Sequence, residues 1–318
     1  MNNNKFVFWL IFLIIFVNAC KSQEFPLQTP AEKFVTPTAM LPIRPFISPT
    51  LVQIPTFSRK DAYLELLELL KDNGGCKLPC IWGITPGQSN KENFDRLTVS
   101  LNSVFSKYND FNIGLGNIAP DYELGDYLIH GQISYLIYPT SNVISRISLN
   151  LEARKSVKFD SQGEVTLGFQ DVFDSNEYGK ITNYYMIENI LKVYGEPESI
   201  HLTTMAKRSS RDDTGGDFHV LLLYPKFGFM VLYTTQMQVL GSNVRGCLVN
   251  SHAQFDLIPQ EENDLFMTIY EEKIRLEGYP IKSLDEVTSL SINDFYKLFS
   301  TSAIECIETP ANLWPIPD

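Results

Sequence analysis

Positive charge is scarce in this chain. It carries 26 Lys and Arg against 37 Asp and Glu, a net charge of −11. Clustered basic side chains are what displace counterions from a phosphate backbone, so the balance speaks against a nucleic-acid partner. The densest basic group, Lys207, Arg208 and Arg211, is answered at once by Asp212 and Asp213 and reads as a solvated loop. Long hydrophobic runs are lacking too. The apolar run at Phe6–Val17 is twelve residues, whereas a bilayer-crossing helix needs about twenty. Histidine is rare: the four, His130, His201, His219 and His252, show no ligand spacing. Gly-x-Ser-x-Gly, His-Glu-x-x-His and P-loop motifs are missing. No sequence motif therefore argues for an enzyme, and no cofactor is implied. An extracytoplasmic hydrolase with dispersed catalytic residues stays the alternative reading.

What is present begins at the amino terminus. Lys5 precedes the apolar run, which ends in Val17-Asn18-Ala19-Cys20. Twelve apolar residues suit the core of a secretory signal peptide. The ending resembles the bacterial lipobox, in which the cysteine is lipidated and becomes the first residue. Val17, Ala19 and Cys20 match that pattern and Asn18 departs from it. The resemblance implies a signal peptide at 1–20 and a membrane partner reached through lipidated Cys20. Residues 21–58 carry prolines 26, 30, 37, 42, 45, 49 and 55. Proline at that density opposes helix and sheet and favours an extended tether.

Four further cysteines stand at 76, 80, 247 and 306. Outside the cytoplasm they are expected to pair. Cys76 with Cys80 and Cys247 with Cys306 is the simplest of three possible connectivities. Zinc would want ligands that the distant cysteines and scattered histidines do not group, and the Cys76–Cys80 gap is one residue too long for a thioredoxin-type pair.

Helical spacing predicts a helix behind Ser58, with Tyr63, Leu66, Leu67 and Leu70 inward and Asn73-Gly74-Gly75 as its stop. A second is predicted behind a Ser89–Glu92 capping box, with Phe94, Leu97, Leu101, Val104 and Phe105 inward. Short alternating runs then predict strands at 111–118, 122–130, 132–138 and 143–151. A helix follows at 181–194, then strands at 199–205, 218–224 and 229–235. The C-terminal part returns to helix, at 262–276 and 292–299. The strand pairs at 133–149 and 219–235 each contain Tyr-Pro followed by a short turn, which suggests an internal repeat. The expected fold is α+β: two helix-plus-antiparallel-sheet units at 59–160 and 161–318, the second with a C-terminal helical segment.

Two resemblances accompany this pattern. Cys76, Cys80, Trp82, Gly83, Ile84, Pro86 and Gly87 resemble a signature of uncharacterised bacterial envelope lipoproteins. Gly83-Ile84-Thr85 and Gly195-Glu196-Pro197 are similar to elements of BamE (SmpA/OmlA) and beta-lactamase-inhibitor-like modules, in which such elements flank a helix before an antiparallel sheet. The signature implies a family without supplying an activity; the expected role is non-catalytic, binding or structural, toward an envelope protein or polymer. Trp82, Tyr138 and Tyr224 are candidates either for a stacking surface or for core packing. The run at 114–119 matches a dinucleotide fingerprint, but Pro120 denies it the helix that such a site needs. Asp213-Thr214-Gly215 has no second copy to share a proton. Asp212, Asp213 and Asp217 lack the spacing of a calcium loop.

Overall fold

The computed structural model describes residues 59–100, 105–108, 116–124, 127–138, 140–160, 165–171, 176–205, 216–249, 251–262, 265–266, 268–269, 271, 279–301 and 306–314. Cys20, the 1–58 segment with its Ser58 cap, and the Asp213-Thr214-Gly215 loop lie outside these residues.

Helices α1 (Arg59–Asp72) and α2 (Lys91–Ser100) come first. Strands β1 (Phe105–Tyr108), β2 (Gly116–Leu124), β3 (Tyr127–Ile137), β4 (Ile144–Asp160) and β5 (Val165–Asp171) follow. Helices α3 (Asn176–Ile181) and α4 (Ile187–Tyr194) precede β6 (Ser199–Met205), β7 (Asp217–Tyr224), β8 (Phe229–Leu240), β9 (Asn243–Cys247) and β10 (His252–Leu257). Then come β11 (Lys282–Ser283), α5 (Leu284–Val287), α6 (Ile292–Ser300) and β12 (Cys306–Pro310). The class is α+β, as expected, and the strands form a large antiparallel sheet.

Its order is β1-β2-β3-β4-β10-β8-β7-β6-β11, with β5 on β4 and the β9–β12 pair extending from β8. The stretches 59–160 and 161–318 therefore share one sheet. They meet where β4 pairs β10, from Leu151 opposite Ala253 to Ile147 opposite Leu257. Residues 52–318 form one compact unit.

Strict alternation decides which sheet face is buried. Ile133 and Tyr135 of β3, Ile147, Leu149 and Leu151 of β4, Phe255 of β10 and Val231 and Tyr233 of β8 fill the main core. The helices close it from the other side. Ala62, Leu66, Leu69 and Leu70 form the buried stripe of α1, while Leu64 is 54% exposed. α4 contributes Ile187, Ile190 and Leu191 and ends at Gly195, where φ is 78°. α6 starts at a reciprocal capping box between Ser291 and Asp294 and buries Phe295 and Phe299.

Local details differ from expectation. The cap of α2 is Asn90, whose side chain and backbone exchange bonds with Asn93 at 3.1 and 2.9 Å. Ser89 instead accepts from the Thr85 amide at 2.9 Å and tightens the preceding turn. α2 ends at Ser100, and Phe105 begins β1 opposite Pro120; Leu101 and Val104 lie outside the described residues. The helix predicted at 181–194 is broken by a 3-10 turn at Asn183–Tyr185. β5, β9, β10 and β12 were not legible as strands. Gly116–Ala119 of the fingerprint-like run lie in β2, an antiparallel strand.

Candidate functional site

Cys76 and Cys80 form a disulfide with Cα atoms 5.8 Å apart. The sequence leads into it through three left-handed residues, Asn73, Gly74 and Gly75, at φ 61, 63 and 74°. At Gly74 a Cβ would also lie 2.9 Å from Leu69 Cδ2. Asn73 is fully buried, and its amide holds the ring together. Nδ2 donates to the carbonyls of Cys76 and Cys80 at 2.9 and 2.7 Å. Oδ1 accepts from the Trp82 amide at 3.3 Å and the Tyr185 hydroxyl at 3.0 Å. All four positions of the amide are thus used. Ile81 and Ile84 exchange backbone bonds at 2.9 and 2.8 Å across Trp82 and Gly83, both at positive φ, the geometry of a primed two-residue turn.

Trp82 is 4% exposed. Its Nε1 donates to the Tyr185 hydroxyl at 2.8 Å and to the Leu69 carbonyl at 3.1 Å. Tyr224 is 2% exposed; its hydroxyl donates to the Gly195 carbonyl at 2.9 Å, and its ring stacks on Phe229 at 4.7 Å. Of the two roles open to these aromatics, packing describes both. Neither contributes to a stacking surface. Tyr138 is half-buried at the end of β3, its hydroxyl donating to Glu262. Loss of water contact, followed by that carboxylate, pushes the Tyr138 hydroxyl up to about 12. The three aromatics do not form one surface.

Cys247 and Cys306 are bonded across directly paired positions of β9 and β12. Two disulfides point to an oxidising, extracytoplasmic compartment. Among the described residues no helix is long and apolar enough to cross a membrane, and no group of three or more His, Cys, Asp or Glu is placed to hold a metal ion.

The sheet face opposite the core is divided. On the β7–β8 side, Leu221, Leu223 and Met230 are covered by Ile258 and Phe266. On β3, β4 and β10 the face is polar and opens into a trough of about 330 Å³, lined by Gln132, Ser134, Leu136, Arg146, Asn150 and Gln254 among others. Asp256, 3% exposed, lies on this face. Its Oδ1 accepts from Arg146 Nη2 at 2.6 Å and Nε at 3.1 Å and from the Ser148 hydroxyl. The buried carboxylate thereby fixes the arginine and cancels its charge. Sequence reasoning missed this surface. Its signal was the alternation at 146–151, where Arg, Ser and Asn interleave with Ile, Leu and Leu.

Farther along the same face, His219 is 7% exposed. Its Nδ1 lies 2.9 Å from the Thr234 hydroxyl, and its Nε2 has no hydrogen-bond partner among the described residues. Burial lowers its pKa from 6.5 to about 4. Between those values the unfolded chain binds a proton that the folded chain does not, so stability rises with pH across that window and is flat above it. We expect folding to weaken by about 3 kcal/mol from pH 7 to pH 4 through this group. His219→Gln should remove that part of the slope in urea titrations at both pH values; an unchanged slope would assign the acid sensitivity elsewhere.

No protein-family model, no curated protein and no solved structure matches the chain. What the open face offers chemically is hydrogen-bonding groups: the amides of Gln132, Asn150 and Gln254 beside the Arg146–Asp256 ion pair.

Proposed function

We propose that the protein is a lipid-anchored component of a bacterial cell envelope with a non-catalytic binding role, and that it holds its partner on the open polar face of β3, β4 and β10. The observation that carries the binding role is that face. Arg146, which lines it, is neutralised by Asp256, and it opens as a shallow trough, an arrangement suited to contact more than to proton transfer or nucleophilic attack. The two disulfides support the compartment. The lipobox-like Val17–Cys20 segment supports the anchor, and the proline-rich residues 21–58 suit a tether.

On this reading the chain is also an internal repeat. Each copy is a helix pair followed by an antiparallel meander. In the sheet β4 and β8 lie on either side of β10, and each pairs with it antiparallel. The Tyr-Pro steps at 138–139 and 224–225 follow corresponding strands, β3 and β7.

Two measurements test the proposal. Cys20→Ser should abolish incorporation of labelled fatty acid and move the protein from membrane to soluble fractions, and equal labelling of both forms would refute the anchor. A photo-crosslinking residue at Gln132, on the open face, should capture an envelope component that the same residue at Glu68 on α1 does not. Equal capture from both positions would refute the binding face.

A further inference from the structure

We propose that the trough on β3, β4 and β10 is a binding site for a neutral, hydroxyl-rich oligosaccharide. This rests on the reading of the open sheet face as the binding surface, and it names the ligand's chemistry.

The register sets the trough out as a grid. Gln132 of β3 is opposite Asn150 of β4, and Asn150 is opposite Gln254 of β10. Three amides therefore stand side by side, one per strand, at the strand spacing of about 4.8 Å. The next row holds Ser134, Ser148 and Asp256. The row after it holds Leu136 and Arg146. An amide both donates and accepts, as a sugar hydroxyl does, so a row of amides matches a surface of hydroxyls whichever way each proton points.

Two of the amides are held in place. Asn150 Nδ2 donates to Glu152 at 2.5 Å. Gln254 Nε2 reaches Asp256 Oδ2 at 3.5 Å. Each is oriented by a carboxylate on its own strand, which lowers the ordering cost of binding. Among the described residues no side chain donates to their carbonyl oxygens, which suit a hydroxyl donor.

Charge and shape narrow the occupant. Arg146 is compensated by the buried Asp256, so among the described residues that line the trough no cation is left unbalanced for an anionic ligand. The binding energy of protein partners centres on desolvated aromatic or arginine anchors. Among the liners, Leu136 is the apolar group directed to the trough face, since Tyr135 is 4% exposed and packs on Phe94 in the core. A volume of about 330 Å³ falls at the lower end of small-ligand sites, about 300–1,000 Å³. A short polar segment fits these limits better than a folded surface does.

The test is saturation-transfer NMR on the full chain in detergent micelles. The probes are neutral oligosaccharides of glucose and of N-acetylglucosamine, an acidic oligosaccharide and a set of short peptides, each titrated through the millimolar range. We expect a neutral oligosaccharide to bind. Asn150→Ala and Gln254→Ala should each weaken it at least about tenfold. Gln132→Ala, at an exposed rim position, should weaken it with circular dichroism unchanged. Four outcomes would overturn the proposal: no neutral oligosaccharide binding; stronger binding of the acidic sugar; stronger binding of a peptide; or neutral-sugar binding that all three variants leave intact. Capture from position 132 with no sugar binding would reject this ligand class and leave the binding face standing.

Discussion

Trp82→Ala is expected to destabilise the fold by about 3–5 kcal/mol, the range for deleting a large buried aromatic. The side chain is 4% exposed. It also carries the bond network that joins the Cys76–Cys80 ring to the second half of the chain, through Tyr185 and the Leu69 carbonyl. Burial raises the Tyr185 hydroxyl well above its usual value, with the Trp82 bond acting the other way, so Tyr185 stays protonated and able to donate to Asn73. Trp82→Phe keeps most of the packing and loses the indole donor, and should cost about 1–3 kcal/mol. Urea unfolding of the two variants separates the contributions. A loss below about 1 kcal/mol for the alanine variant would contradict burial of the ring.

The second large effect concerns Cys247 and Cys306. Replacing both with serine should cost about 4 kcal/mol, the chain-entropy value for a loop this long, since 59 positions separate the two residues. The loop they close spans β10, β11, α5 and α6. The Cys76–Cys80 ring closes over four positions, and its removal should cost about 2 kcal/mol by the same relation. The urea midpoint should shift more for the long loop than for the short one. Mass mapping of the non-reduced protein should show both cross-links; free thiols at these positions in protein from its native compartment would overturn both expectations.

These two sites show unequal legibility. Val17–Cys20 pointed to a compartment, the compartment predicted oxidised thiols, and the nearest-neighbour pairing followed. That pairing is what the structure has. Trp82 was legible as a residue of interest, but a tryptophan beside a disulfide suits a ligand platform as well as a core. Only the placement of Leu69 and Tyr185 around its ring separates the two.

What the sequence by itself determined is local. Glycine and serine punctuation set the ends of α1, α4 and α6, because capping needs neighbours three or four residues away. Period-two alternation marked β4 and β6 to β8, and with them the α+β class, but it divided β3 between runs at 122–130 and 132–138. The tertiary structure decided what depends on distant partners. β10 alternates as His252-Ala253-Gln254-Phe255-Asp256-Leu257, yet its place comes from pairing with β4, about a hundred residues earlier, which no local window contains. The same pairing brings Asp256 to Arg146 and Gln254 to Asn150. The open polar face therefore exists only once the two halves meet: its residues are individually ordinary, and register alone makes them neighbours.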